Sequence, residues 1–205
     1  MISDKDINKI YPYLFSAWNK KFPDRDNYQV PGDRLFSPIK IINELTEINN
    51  LYLLDLGCNA GLISIVASQI FKKVFGIDRK KYFIDKADIS KTVFENFNYN
   101  IKNIEFTNIN FEDYVLSGFF KKNGMNAIIG LQVLHHMTKN EIDILEDVIK
   151  NVKLFITSGY RKRKTGSWSG LHKTKIVAKF LEDNGFNNIE VFFEKSQISI
   201  FVAKK

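Results

Sequence analysis

The chain has 205 residues, of which 44% are hydrophobic and 26% charged, and its formal net charge is +7. This is the composition of an ordinary globular protein with a sizeable core, and its basic balance either attracts anionic partners or simply aids solubility. A single cysteine, Cys58, excludes an internal disulfide and an all-cysteine metal or iron–sulfur site. There is neither an apolar run of about 18 residues nor a signal-like start, so we expect a cytoplasmic protein without a membrane span.

Residues 1–50 are predicted to form a helical extension, or lid, that is irregular at first. Its early part is rich in aromatic residues: Tyr11, Tyr13, Phe15, Trp18, Phe22 and Tyr28. The sequence Val-Pro-Gly-Asp at 30–33 predicts a turn. Ser37 and Pro38 are then predicted to be the N-cap and first residue of a helix that carries Ile41, Ile42 and Leu45.

From residue 51 onwards, short apolar runs alternate with helical spacing. Strands are predicted at 51–56, 73–77, 104–109, 127–131, 154–157, 189–193 and 197–203. Helices are predicted at 62–71, 80–97, 139–150 and 174–184. The alternation predicts an α/β fold, a doubly wound, mostly parallel seven-stranded sheet with helices on both faces. The turn at 194–196 is too short for a parallel crossover, so the last two strands form a hairpin and one runs antiparallel. We expect 51–205 to be one domain.

A carboxylate and a glycine-rich turn follow the first of these strands. Asp55 is the last but one residue of the run, the segment 57–61 is Gly-Cys-Asn-Ala-Gly, and a helix begins at Leu62. Glycine allows close backbone approach to a ligand at the carboxyl end of the strands, where such folds bind ligands. Asp78 ends the next strand, in the position from which a carboxylate accepts both hydroxyls of a ribose.

Two phosphate-binding alternatives fit this turn less well. A dinucleotide site favours three glycines in the pattern G-x-G-x-x-G, and here only Gly57 and Gly61 are present. A P-loop would end in Gly-Lys-Ser/Thr, where this chain has Leu62 and Ile63. An acid directly before the loop, Asp55, favours a ligand with an ammonium or sulfonium charge.

The segment from Asp55 to Gly61 resembles motif I of the class I S-adenosylmethionine-dependent methyltransferases. Residues 76–78 resemble their second motif, and 126–137 (NAIIGLQVLHHM) resemble the motif of their fourth strand. The resemblance covers residues 50–205 and includes the final hairpin. It therefore implies a methyltransferase with S-adenosylmethionine as its cofactor.

The resemblance also implies roles for individual residues. Those implied to hold the methionine part are Asp55, Gly57, Cys58, Asn59, Gly61, Leu131 and Gln132. Those implied to hold the adenosine part are Asp78, Arg79, Asn110 and Phe111. Asn59 stands where the family usually has glycine, and Asn110 where it often has an acid; asparagine tolerates positive φ and can still accept a hydrogen bond.

The methyl acceptor is predicted from weaker features. His135 and His136 follow the fourth strand and are candidate general bases, phosphate ligands or packing residues. Tyr160, Arg161 and Arg163 belong to a basic loop, 159–170, that suits a phosphate or nucleic-acid backbone, although a solvated loop has the same composition. Short stretches also resemble methyltransferases that act on glycan phosphates or on RNA phosphates. We therefore expect an anionic small-molecule, glycan or RNA acceptor and no metal site.

Three alternatives stay open. A small neutral metabolite could be the acceptor, with residues 1–50 covering it. The chain could instead be a non-catalytic module that keeps the cofactor fold, or a nicotinamide-dependent oxidoreductase. The presence of Asp55, Gly57, Gly61 and Asp78 argues against the second, and the missing third glycine argues against the third.

Overall fold

The computed structural model describes residues 1–23, 32–46, 48–101, 103–160, 173–193 and 198–205. The helices that precede β4 are α1 (Asp4–Lys21), α2 (Gly32–Glu44), α3 (Leu62–Ala67), α4 (Lys81–Asn96), α5 (Phe111–Leu116) and α6 (Phe119–Lys122). Those that follow it are α7 (Lys139–Ile149), α8 (Thr174–Asp183) and a 3-10 turn (Leu134–His136). The strands are β1 (Tyr52–Leu56), β2 (Lys73–Asp78), β3 (Ile104–Asn108), β4 (Ala127–Gly130), β5 (Leu154–Tyr160), β6 (Asn188–Phe193) and β7 (Ile198–Lys204).

The seven strands form one sheet in the order β3-β2-β1-β4-β5-β7-β6. The pairs β1–β4, β2–β3 and β4–β5 are parallel, whereas β7 is antiparallel to both β5 and β6. The predicted doubly wound α/β class, with a reversed strand in its final hairpin, is confirmed. Among the described residues, no helix has the length and apolar character needed to cross a membrane.

The chain divides into two compact units. Unit 1 contains Met1–Leu51 and Cys58–Ile109, and unit 2 contains Tyr52–Gly57 and Asn110–Lys205. Residues 1–51 thus belong to the same unit as α3, β2, α4 and β3. A boundary at residue 50, with 51–205 as the domain, stays a prediction.

The expectation that the first residues are irregular was wrong, because α1 runs for 18 residues from Asp4. Its buried positions are Ile7, Ile10, Leu14 and Trp18, which lie on one face of a helix. The Trp18 indole N–H donates to the Lys86 carbonyl at 3.3 Å, and the Lys86 ammonium lies 5.0 Å from the Trp18 ring. This cation–π contact offsets part of the cost of burying a lysine that is only 4% exposed.

Other predicted boundaries also need correction. Helix α2 begins at Gly32, so Pro38 lies inside the helix rather than at its first position, and the predicted cap at Ser37 is wrong. Pro38 has no N–H for the i−4 carbonyl, which is why sequence reasoning placed the helix start there. Helix α3 ends at Ala67 rather than 71, β5 extends to Tyr160, and α5 and α6 were not predicted. The turn predicted at 194–196 lies outside the described residues, as do residues 30 and 31 of the turn predicted at 30–33, whereas Gly32 and Asp33 belong to α2.

A capping box begins α1 and gives a pH-dependent prediction. The Ser3 hydroxyl and its backbone N–H both donate to Asp6 Oδ2, at 2.6 and 2.7 Å, and lower the pKa of Asp6 below its ordinary value of 3.8. A lowered folded pKa contributes stability that is present above pH 3.8 and is lost as the pH falls through the folded value. We expect Ser3→Ala to lower the free energy of unfolding by about 1 kcal/mol at pH 7.

Urea unfolding of both proteins at several pH values checks this prediction. The difference between wild type and Ser3→Ala should shrink below pH 3.8. A difference that is constant down to pH 2 would show that the bond from the Ser3 hydroxyl to the Asp6 carboxylate does not stabilise the cap.

Candidate functional site

In unit 1, the turn between β1 and α3 is held in a left-handed backbone conformation. Asn59 has φ +50° and Gly61 has φ +74°, so the predicted tolerance of asparagine for positive φ is observed at residue 59. The Gly61 N–H donates to the Cys58 carbonyl at 2.9 Å, and the Asn59 side-chain oxygen accepts from the Ala60 N–H at 2.7 Å. The turn is therefore tight and internally hydrogen-bonded.

Gly61 is required by the protein's own packing. A Cβ added there would lie 2.5 Å from Cζ of Phe106 and 2.8 Å from Cβ of Ala87, both closer than real carbon atoms approach. Phe106 also blocks a side chain at Gly76 of β2, at 2.6 Å. Sequence reasoning did not single out Phe106, which fills the space that these two glycines leave.

The Asp78 carboxylate is bonded to the backbone of this turn. Its Oδ2 accepts from the Asn59 N–H at 3.2 Å, and its Oδ1 accepts from the Lys80 N–H at 2.9 Å. The Cys58 N–H donates to the carbonyl of Ile77, the preceding residue, at 3.0 Å. Positions 58–61 of the predicted turn and Asp78 are thus brought together within unit 1. Each carboxylate oxygen keeps a lone pair, and Asp78 is only partly buried, so the group can accept two further hydrogen bonds.

Arg79 follows Asp78 and is exposed. Asn108, at the end of β3, donates its amide to the Asp78 carbonyl at 2.9 Å, and the Ile109 N–H donates to the same oxygen at 3.1 Å. The two contacts to the Asp78 carbonyl, together with the Cys58 bond to the Ile77 carbonyl, therefore fix the backbone at the end of β2. Sequence reasoning did not identify Asn108, although a polar residue at the end of a strand was the available signal.

In unit 2, Asn110 is the N-cap of α5. Its side-chain oxygen accepts from the Asp113 N–H at 2.8 Å, and its amide donates to the Asp113 carboxylate at 2.8 Å. Phe111, the next residue, is buried with 3% of its surface exposed. The observed function of the Asn110 side chain is thus helix capping, and its amide oxygen keeps one lone pair for another donor.

Asp55 and Gly57 also lie in unit 2, at the carboxyl end of β1. Asp55 is opposite Ile129 of β4 in the parallel register and is 4% exposed, so its carboxylate is largely removed from water. Gly57 has φ +72°, and a Cβ there would lie 2.6 Å from Cγ2 of Val133. Val133 follows β4, so only a residue without a Cβ fits at Gly57 beside the end of β4.

The exit of β4 contains the predicted residues Leu131 and Gln132, both partly exposed. Gln132 has φ +57°, which is uncommon for a residue that is not glycine, asparagine or aspartate. Its backbone N–H donates to the Ser158 hydroxyl oxygen at 2.7 Å. Non-glycine residues in this conformation cluster at functional sites.

The rings of His135 and His136 are 3.9 Å apart between centroids and tilted by 41°. His135 is partly exposed and His136 is exposed, so solvent reaches both. In the part of the chain that the structure describes, no group of three or more His, Cys, Asp or Glu side chains is placed to hold a metal ion. Arg161 and Arg163 lie outside the described residues, and of Tyr160 only the backbone, at the end of β5, is described.

Several solved structures that resemble this chain are methyltransferases. The chain is 21% identical to magnesium protoporphyrin IX methyltransferase from Synechocystis PCC 6803 with bound S-adenosylmethionine, with a TM-score of 0.61 and coverage of 100% of this chain and 98% of that one. It is 18% identical to an S-adenosylmethionine-dependent methyltransferase from Aquifex aeolicus, with a TM-score of 0.59 and coverage of 92% and 97%. A precorrin-6y C5,15-methyltransferase from Geobacter metallireducens GS-15 is 13% identical, with a TM-score of 0.58 and coverage of 91% and 96%. The chain thus has the class I methyltransferase fold.

Sequence comparison adds little to this result. No family model matches the chain. It is 31% identical over 121 residues to the iron–sulfur cluster assembly protein SufB of Plasmodium falciparum (isolate 3D7). That match covers 57% of this chain and 24% of SufB, so the chain spans about a quarter of its curated relative.

Proposed function

We propose that the chain binds S-adenosylmethionine and transfers its methyl group to an acceptor with an anionic group. The observation that carries this proposal is the Asp78 carboxylate, which is fixed by the N–H groups of Asn59 and Lys80 and keeps acceptor capacity. Two ribose hydroxyls are the donors that such a group suits. The fold shared with methyltransferases supports the same conclusion.

The residues present fit the cofactor. In this proposal Asp78 accepts the ribose hydroxyls, and Arg79 borders the adenine. Asn110 and Phe111 border the adenine from the start of α5. The other proposed cofactor residues border the methionine part: Asp55, Gly57, Cys58, Asn59, Gly61, Leu131 and Gln132. Asp55 is a buried carboxylate that an ammonium or sulfonium charge would complement.

S-adenosylmethionine, when bound, supplies an activated methyl group for an in-line displacement. The chain contributes placement and exclusion of water, and alignment of reactants alone can supply several kcal/mol. A base is needed only when the acceptor atom carries a proton at neutral pH. His135 and His136 are the proposed bases for that case.

The acceptor proposal rests on the basic loop after β5. Four consecutive cations, Arg-Lys-Arg-Lys at 161–164, follow a strand whose carboxyl end lies at the same edge as that of β4. A phosphate or carboxylate oxygen is deprotonated at neutral pH and would need neither histidine. A small neutral acceptor is the second candidate, and the exposed histidine pair favours it.

Calorimetric titration separates the proposed function from its alternatives. We expect micromolar binding of S-adenosylmethionine and S-adenosylhomocysteine and no binding of NAD. Tight NAD binding would support an oxidoreductase. Binding of S-adenosylmethionine without methyl transfer to any fraction of a broad acceptor pool would support a non-catalytic module.

The charge of the acceptor gives a separate prediction. Tritiated S-adenosylmethionine is incubated with short RNAs and sugars that carry terminal phosphates, and with the same pools after phosphatase treatment. We expect label in the phosphorylated pool only, and about a tenfold lower rate when residues 161–164 are replaced by serine or when salt rises from about 0.05 to 0.5 M, because surface charges are then screened. Equal labelling of both pools would contradict an anionic acceptor.

A further inference from the structure

Two neighbouring hydroxyl residues of β5 contact the end of β4. Thr157 lies opposite Gly130 in the parallel register, and its hydroxyl donates to the Gly130 carbonyl at 2.9 Å. Ser158 is the next residue, and its hydroxyl oxygen accepts from the Gln132 N–H at 2.7 Å. The two bonds therefore fix the backbone on both sides of Leu131.

Burial makes these bonds effective restraints. Thr157 is fully buried and Ser158 is 5% exposed, in a strand that is otherwise apolar or small from Leu154 to Gly159. A buried hydroxyl or amide that loses its partner pays its full desolvation cost, so water cannot easily replace either bond. Thr-Ser within the run Leu-Phe-Ile-Thr-Ser-Gly was a visible sequence signal, but nothing in the sequence showed what the hydroxyls contact.

The restrained backbone is strained. Gln132 has φ +57°, in the left-handed region, which a residue with a Cβ adopts less readily than the right-handed region. Without an external restraint, the peptide would relax to a more common conformation. The Ser158 bond to the Gln132 N–H is a contact that opposes this relaxation.

We infer that Thr157 and Ser158 are positioning residues that hold the β4 exit in the shape that receives the methionine part of S-adenosylmethionine. This inference rests on the proposed function, since it takes Leu131 and Gln132 to border that part of the ligand. The hydroxyls themselves do not contact the ligand in this account. They act by keeping the binding-competent conformation populated, and affinity falls with the population of that conformation.

The test compares two nucleosides that share adenosine but differ in the amino-acid part. S-adenosylhomocysteine has the complete chain beyond the sulfur, whereas 5′-methylthioadenosine ends in a methyl group. We expect Ser158→Ala to raise the dissociation constant for S-adenosylhomocysteine about tenfold, the size of one lost hydrogen bond. The dissociation constant for 5′-methylthioadenosine should stay within about twofold of that of the wild type. Thr157→Val should have the same selective effect.

Three further variants separate positioning from general loss of stability. Ser158→Thr keeps the hydroxyl and should restore most of the affinity. Ser90→Ala removes a hydroxyl that is also fully buried but bonds the Lys86 carbonyl within α4, and should leave the ratio of the two affinities unchanged. Asp78→Ala should weaken the binding of both nucleosides, because both contain the ribose.

Suppose that Ser158→Ala and Thr157→Val lower the affinity for both nucleosides equally, or change neither affinity. Either result would overturn the inference while leaving the proposed function intact. Failure of the wild-type protein to bind both nucleosides would overturn the proposed function and the inference with it. A selective loss in Ser158→Ala, restored in Ser158→Thr, supports both.

Discussion

Replacing Asp78 with alanine is expected to raise the dissociation constant for S-adenosylhomocysteine by at least about 100-fold. The carboxylate would lose two hydrogen bonds to ribose hydroxyls, and a bond to a charged group contributes about 1.5–3 kcal/mol. The same change also removes the acceptor for the Asn59 N–H, in the turn before α3, and for the Lys80 N–H, directly before α4. Calorimetric titration of the folded variant measures the effect.

Two other variants make this result specific. Asp78→Asn keeps the shape and one acceptor oxygen, so its affinity should lie between those of wild type and Asp78→Ala. Asp85→Ala removes a neighbouring carboxylate that pairs with Lys81 on the surface of α4, and should bind as the wild type does. Wild-type affinity in Asp78→Ala would remove Asp78 from the binding site.

Gly61→Ala is expected to lower the free energy of unfolding by about 3–4 kcal/mol. Alanine at φ +74° costs roughly 1–2 kcal/mol, and forcing a methyl group to within 2.5 Å of Phe106 costs roughly 1–3 kcal/mol more. Cβ of Ala87, 2.8 Å from the added carbon, is a second close contact that the methyl group would have to displace. Urea unfolding measures the change.

Gly118 offers a matched control for the backbone effect alone. It has φ +76°, and no heavy atom lies within 4 Å of a Cβ added there. Gly118→Ala should therefore cost only roughly 1 kcal/mol, the contribution of the left-handed conformation. Similar costs at both positions would show that contact with Phe106 contributes nothing to the requirement for glycine at residue 61.

The fold was largely predictable because buried strands and amphipathic helices leave different spacings in a sequence. Residues 73–77, 104–109 and 127–131 were predicted as strands, and β2, β3 and β4 begin at the predicted residues. The reversed strand followed from the short connection before β7. These features depend on the hydrophobic spacing and the connection length within short segments of the chain.

Features that depend on distant contacts were not predicted. The buried face of α1 consists of Ile7, Ile10, Leu14 and Trp18. Their spacing is helical, but the many aromatic residues nearby led us to predict an irregular segment. Pro38 was assigned to a helix start by local preference, although α2 continues through it. The partners of Gly61 and Ser158 lie many residues away, and one sequence contains no information about which residues meet there.

The candidate site was predictable to a similar degree. Strand ends and the glycine turn were enough to single out Asp55, Gly57, Gly61 and Asp78. In unit 1, the turn and Asp78 do contact each other. The capping function of Asn110 and the positive φ of Gln132 were not visible, since both arise from backbone conformation. The proposed anionic acceptor rests on the basic composition of residues 161–164, and composition does not specify which molecule is bound.

A crystal structure of the protein with S-adenosylhomocysteine tests the central proposal most directly. We expect both ribose hydroxyls to donate to Asp78, the adenine to lie beside Arg79 and the start of α5, and the amino-acid part to lie beside the β1 and β4 ends. A nucleoside bound elsewhere on the chain, or one whose ribose does not contact Asp78, would contradict it.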